Sequence, residues 1–229
     1  MNKTVAVIAL QGAFIEHLQI MQKFCTSATI IRNLDDLEKI RAQLAGIILP
    51  GGESTAQRKL LHKTNLFSAI QNLIKSGLPT LATCAGAILL AEKIASVNQS
   101  ADLSSSQGQN LANSIKNTDK HKNDISQTAY EQNLQTLPIT IKRNAFGRQQ
   151  ASFSYLGKVG NIAENFAQIY IRAPEIVEIA DGVEVLSQLP DGKITAVRFE
   201  NQFAFCYHPE LAGDEIHHYF WEICKHYQN

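Results

Sequence analysis

The sequence predicts an α/β fold in which helices cover both faces of a mixed, mostly parallel sheet. Three observations carry that expectation. Short apolar runs alternate with longer stretches of helical period. Proline-glycine or small-residue text follows several of the runs, as loops at strand ends require. Near the C-terminus, apolar runs follow one another across tight turn residues, which adds antiparallel hairpins to the parallel core.

In order, "TVAVIAL" (Thr4 to Leu10) reads as a buried strand, and Phe14, Leu18, Ile20 and Met21 give the stretch from about Ala13 to Phe24 an apolar helix face. "ATIIR" is a second strand, "LDDLEKI" a short helix, and "AGIILPGG" a third strand entering a glycine loop. Helical text runs to about Ser76, followed by the strand "PTLAT" and a helix starting near Ala85. From Ser96 to about Gln135 the chain is rich in Ser, Asn, Gln, Lys and Asp and poor in large apolar residues. It cannot offset its ordering entropy by burial, so a flexible surface insertion at about 96–135 is expected. Strand text resumes at "LPITIKR" and continues through "QIYIRAP", "VEVLSQL", "KITAVRFE" and "QFAFCYHPE", with turns at Asp191-Gly192 and Asn201-Gln202. A last helix covers roughly Glu215 to Tyr227.

The chain has 229 residues, 45% of them hydrophobic, enough for one domain over 1–229 with a full core. Its 21 basic and 21 acidic residues balance, and no long basic run occurs, so neither nucleic acid nor an anionic membrane is an expected partner. No apolar stretch nears the roughly 18 residues of a membrane span, and the N-terminal run is too short for a signal-peptide core. Cys25, Cys84, Cys206 and Cys224 lie far apart with no C-x-x-C pair, which argues against zinc and a disulfide framework. A cytoplasmic location with no metal or cofactor is the expectation.

Chemistry concentrates at three strand ends. Cys84, in T-C-A-G, follows an apolar strand and precedes a helix, the setting of a nucleophile on a tight turn. The N–H of Ala85 is then placed to donate to an oxyanion. Taken alone, the same text fits a buried core cysteine equally well. His208 and Glu210, in "CYHPEL", are two apart, so an extended backbone points both to one face, where a carboxylate can orient an imidazole. Pro209 holds that link extended. In "LPGGEST", Gly51 and Gly52 let backbone N–H groups approach a ligand, with Glu53 and Ser54 to bind polar atoms; in isolation the stretch reads as a turn with a helix cap. All three lie at strand ends that share one crevice in an open α/β sheet. His217 and His218 read as packing or a solvated face on the last helix, and His62, His121 and His226 lack a catalytic setting.

These residues resemble the class I, triad-type glutamine amidotransferases. The likeness is stronger to one family among them, the glutaminase subunits of pyridoxal 5′-phosphate synthase. It rests on "LQGAFIEH" (Leu10 to His17), "GIILPGGEST" (Gly46 to Thr55), "TCAG" (Thr83 to Gly86), "KRNAFGRQ" (Lys142 to Gln149), "IRAP" (Ile171 to Pro174) and "HPEL" (His208 to Leu211). The resemblance implies a flavodoxin-like three-layer α/β/α sandwich in which Cys84 attacks the side-chain amide of L-glutamine, His208 shuttles protons and Glu210 orients it. It implies an oxyanion site at Ala85 and Gly51 or Gly52. It also implies glutamine held by Gly52, Glu53, Ser54, Arg143, Ile171 and Arg172, and ammonia delivered to a (β/α)₈-barrel synthase subunit. Gln11, Glu16 and His17 would lie near that partner, with Gln11 close to the oxyanion region. Two departures stand out. Ala82 replaces the family's usual glycine, straining the elbow if its backbone needs positive φ, and the 96–135 stretch lengthens a link that is short in the family. The rival readings are a glutaminase serving another synthase, a stand-alone γ-glutamyl cysteine hydrolase, and a non-catalytic binding subunit.

Overall fold

The computed structural model describes residues 3–95, 132–146 and 152–228. The first strand β1 (Thr4–Ile8) leads to α1 (Phe14–Met21), then β2 (Thr29–Ile31), α2 (Leu34–Ile40), β3 (Leu44–Leu49), α3 (Ser54–Lys63), α4 (Leu66–Lys75), β4 (Thr80–Thr83) and α5 (Ala85–Leu90). The second half adds β5 (Ala91–Ile94), β6 (Leu137–Lys142), β7 (Ser152–Val159), β8 (Ala163–Ile171), β9 (Glu175–Ile179), β10 (Glu184–Gln188), β11 (Ile194–Phe199), β12 (Gln202–Phe205) and α6 (Glu215–His226).

The main sheet runs β2-β1-β3-β4-β12-β11-β9-β6-β5, with β10 branching from β11, and β7 and β8 form a separate ribbon. From β2 to β12 every pairing is parallel; β12-β11, β11-β9 and β9-β6 are antiparallel. Alternation along the strands feeds two cores. Ala6, Ile8, Ile47 and Leu49 face α2, α3, α4 and α5 through Leu37, Leu61, Ile70 and Ile88. Val5, Val7, Ala45 and Ile48 face α1 and α6 through Met21, Ile216 and Phe220. Helix α4 shows how the sequence makes such a layer. Leu66, Ile70 and Ile74 recur at four-residue spacing and are all buried, each stabilising the fold by roughly 1.5–3 kcal/mol of apolar transfer.

Four differences from the sequence reading matter for the site. The helix at Ala85 ends at Leu90, and Ala91–Ile94 pairs with β6 as a strand instead of prolonging it. The last hairpin turns at Glu200 and Asn201, because Gln202 already pairs with Phe199 and Glu200 takes the positive φ of 53°. Most of the expected 96–135 insertion lies outside the described residues. Its end belongs to the fold, however: Leu134 N–H donates to Leu89 O, and Asn133 Nδ2 donates to Ile88 O, both at 2.8 Å. Finally, Pro209–Leu211 is a 3₁₀ turn and not an extended link.

Candidate active site

Strands β4 and β12 lie side by side in parallel, with Phe205 opposite Thr83. Cys84 and His208 therefore leave neighbouring strand ends on the same edge of the sheet, as the crevice argument requires. Cys84 has φ 46° and ψ −102°, an unusual backbone for a side chain with a Cβ. Its N–H is tied to Phe205 O at 2.8 Å, so the ladder itself holds the turn. The elbow strain falls on Cys84 and not on Ala82, which sits inside β4 without positive φ. The close packing behind the elbow explains Gly86: a Cβ there would lie 2.1 Å from Leu49 O.

His208 Nδ1 and Glu210 Oε1 are 2.7 Å apart, with the carboxylate fully buried. The two meet because the 3₁₀ turn folds Glu210 back beneath the ring, and not because an extended backbone points both to one face. Burial works against charge on His208. Hydrogen bonds with Cys84 and Glu210, together with their charges, outweigh it and hold its pKa up to about 10. Gly51 packs against this ring so closely that a Cβ would stand 2.5 Å from His208 Cε1 and 3.5 Å from Cys84 Cβ.

A cleft of about 420 Å³ opens over Cys84 and His208. It brings together Gly51, Gly52, Glu53, Ser54, Arg143, Ile171 and Arg172, every residue expected to hold substrate, along with Gln11. Ala85 lies buried beside it at the start of α5, where its N–H has no acceptor within the helix. Gln11 Oε1 accepts from Glu53 N–H at 2.7 Å and Gln57 Nε2 donates to Gln11 O and Pro50 O, so these two side chains brace the glycine loop. Arg143 reaches toward α3, its Nη1 3.5 Å from Thr55 Oγ1, while its buried Nε has no hydrogen-bond partner among the described residues. That leaves donor capacity on a guanidinium facing the cleft, suited to a carboxylate.

Glu53 lines the cleft and at the same time has a local task. Its carboxylate caps α3, accepting from Thr55 N–H at 3.0 Å and Ala56 N–H at 2.6 Å. Desolvation opposes its charge, but these bonds win and hold its pKa below the usual carboxylate range. His17 departs from expectation. It is wholly buried behind Glu210, so it has no surface to offer a partner; Gln11 and Glu16 are partly exposed.

Sequence reasoning missed Asn144, which lines the cleft at φ 46°, and Thr83, whose hydroxyl lies 3.1 Å from His17 Nε2. Asn144 lies inside a motif already quoted, and a residue type that tolerates positive φ was its available signal. No helix among the described residues is long and apolar enough to cross a membrane.

The sequence matches the SNO glutamine amidotransferase family over residues 7–106 and 121–226. It is 40% identical over 217 residues to a pyridoxal 5′-phosphate synthase subunit PdxT of Desulfitobacterium hafniense, covering 94% of this chain and 90% of that protein. It is 35% identical over 222 residues to the PdxT of Corynebacterium jeikeium, covering 96% of each. A crystal structure of a glutamine amidotransferase superposes with TM-score 0.75 at 32% identity, covering 96% of this chain and 98% of that one. PurLQS from Thermotoga maritima, at 14% identity and TM-score 0.59 over 98% of each chain, shares the fold. A buried cysteine-histidine-glutamate constellation in the crevice of this sheet, and a family match over most of the sequence, lead to one assignment: the chain belongs to the SNO glutamine amidotransferase family.

Proposed function

We propose that this chain, as one amidotransferase domain in the cytoplasm, is the glutaminase subunit of a pyridoxal 5′-phosphate synthase. It hydrolyses L-glutamine to L-glutamate and ammonia and hands the ammonia to a barrel synthase subunit. The observation that carries the reading is Cys84 on its strained elbow beside His208, itself held by Glu210 at 2.7 Å, at the floor of a cleft.

In this reading His208 already holds the Cys84 proton, and the sulfur attacks the side-chain amide carbon. The oxyanion is held by the N–H of Ala85 and an N–H of the Gly51-Gly52 loop, an interaction worth on the order of 10²–10³ in rate per donor. His208 returns the proton to the departing ammonia, leaving a γ-glutamyl thioester. A water then attacks this thioester as His208 takes its proton, and glutamate leaves with Cys84 restored. Arg143, with Ser54 and the backbone at Gly52, Ile171 and Arg172, holds the glutamine headgroup; Glu53 serves by fixing the start of α3. Glu210 keeps the His208 ring turned toward sulfur.

Partner docking is supported by apolar residues around this corner. Helix α1 packs against the Pro209–Leu211 turn, and the two expose Ile15 at 43% and Leu211 at 47%. Gln11 and Glu16 flank this face.

The test is glutaminase activity of the full chain, alone and with a barrel synthase subunit, with Cys84→Ala as control. Activity that rises with the partner and vanishes in Cys84→Ala is the expected result. Full activity alone would favour a stand-alone hydrolase, and activity surviving Cys84→Ala would overturn the reading.

A further inference from the structure

Two histidines from opposite ends of the chain meet in the core directly behind Glu210. His17 on α1 and His217 on α6 are both fully buried, with His17 Nδ1 2.7 Å from His217 Nε2. His17 Nε2 lies 3.1 Å from Thr83 Oγ1 and 3.4 Å from Glu210 Oε2. That carboxylate oxygen has no full hydrogen bond among the described residues, although Oε1 of the same group carries the 2.7 Å bond to His208. Imidazoles removed from water are retained only where their nitrogens find partners, and here those partners lead to the reacting cysteine.

Proton placement follows from elimination. If His17 carried its hydrogen on Nδ1, its bare Nε2 lone pair would face the Glu210 carboxylate. His217 would then accept at Nε2 and carry its own hydrogen on Nδ1, a buried atom with no partner. With the hydrogen of each ring on Nε2, the first problem vanishes and the second is reduced from an unpaired N–H to an unpaired lone pair. His217 Nε2–H donates to His17 Nδ1, His17 Nε2–H donates to Thr83 Oγ1 with Glu210 Oε2 as its longer second acceptor, and His217 Nδ1 is a bare lone pair. Burial, with the charges of His217 and His208 added, holds His17 well below its ordinary pKa, and burial holds His217 at about 4. Both rings are therefore neutral, and the one positive charge beside Glu210 belongs to His208.

We propose that His17 and His217 extend the triad inward, with His17 positioning the Glu210 carboxylate and His217 fixing the tautomer in which His17 does so. His17 touches no reacting atom and is a positioning residue acting through Glu210. Its tie to Thr83, the residue before Cys84, also links the carboxylate to the strand that carries the nucleophile. An orienting group of this kind acts on turnover and not on substrate affinity, because it governs how the His208 ring meets sulfur and leaving group.

The inference rests on the triad reading, and two substitutions at His17 separate donor from bulk. His17→Gln places an amide N–H near the position of the ring Nε2 and keeps a donor toward Glu210. His17→Asn keeps an acceptor for His217 but ends short of Glu210. The full chain is assayed with the barrel synthase subunit for kcat and KM toward glutamine, with thermal unfolding measured alongside. His17→Asn should lose on the order of 10-fold or more in kcat with KM within about twofold, while His17→Gln stays within about threefold of the parent. Should His17→Asn not fold, His217→Phe, which removes the donor to His17, takes its place with the same expected loss. Equal losses in the Gln and Asn variants, losses that track Tm, or an unchanged kcat in His17→Asn would overturn the proposal. Activity surviving Cys84→Ala would instead overturn the triad reading on which it rests.

Discussion

Gly51→Ala tests how tightly the glycine loop holds the His208 ring. Gly51 has no left-handed φ, so alanine meets no conformational penalty there. The loop cannot easily retreat either, since Gly51 O accepts from Ala13 N–H at 3.0 Å. The new Cβ would stand 2.5 Å from His208 Cε1 and 3.0 Å from Nδ1. Carbon atoms rest at about 3.5 Å or more, so the ring must move by about 1 Å. A shift of that size away from Glu210 takes the 2.7 Å Nδ1–Oε1 bond well beyond hydrogen-bonding range. A misplacement of about 1 Å costs roughly 100-fold in rate, or about 2.7 kcal/mol of transition-state stabilisation. The backbone N–H is kept, so oxyanion donation is not what is lost. The assay is steady-state glutaminase kinetics in the presence of the synthase subunit, paired with thermal unfolding. A Gly51→Ala protein with kcat within threefold of the parent would refute this account of the site.

Gly86→Ala places a Cβ 2.1 Å from Leu49 O, a backbone atom with nowhere to go; overpacking of this kind destabilises by about 1–3 kcal/mol, read as a lowered Tm. Arg143→Ala should raise KM for glutamine about 10-fold or more while kcat changes little, since a charge-assisted bond contributes roughly 1.5–3 kcal/mol; an unchanged KM would remove Arg143 from the substrate contacts. Stability should also fall with acid. The folded-state pKa of His17 and His217 lies below the unfolded value of 6.5, so their contribution is complete above that pH and is lost as pH drops toward about 4. The surrounding charges are Asp214, Lys23, His208 and Glu210. Urea midpoints measured between pH 7 and pH 4 should show this decline, and His217→Gln should flatten it. His208 acts on the other side: its raised pKa gives stability present below 6.5 and lost as pH rises through about 10.

That Cys84, His208 and the glycine loop share one cleft was legible because each closes an apolar run, and strand ends in this architecture converge. The helix "LDDLEKI" falls on α2, Leu34–Ile40, where Asn33 Oδ1 caps by accepting from Asp36 N–H at 2.9 Å. What could not be read depends on contacts between distant segments. His17 resembles a helix-surface residue in one dimension, and only the arrival of α6, with His217, makes it a core group. The same holds for Asn133, which looks like the tail of a polar stretch until its amide is seen closing the end of α5. Ala91–Ile94 follows a helix with no turn residue between them, and its strand identity comes from pairing with β6. Glu53 could bind substrate or cap α3; the cap is formed, and the same side chain still lines the cleft.

The pairing of β4 with β12 brings Cys84 abreast of a strand translated far later in the chain. A polypeptide still on the ribosome therefore carries Cys84 without His208 beside it, and His208 arrives only when one of the last strands docks. Such non-local parallel contacts form late in folding. On the proposed reading, glutaminase activity is thus a property of the finished sheet, and an unfinished chain carries only an ordinary thiol.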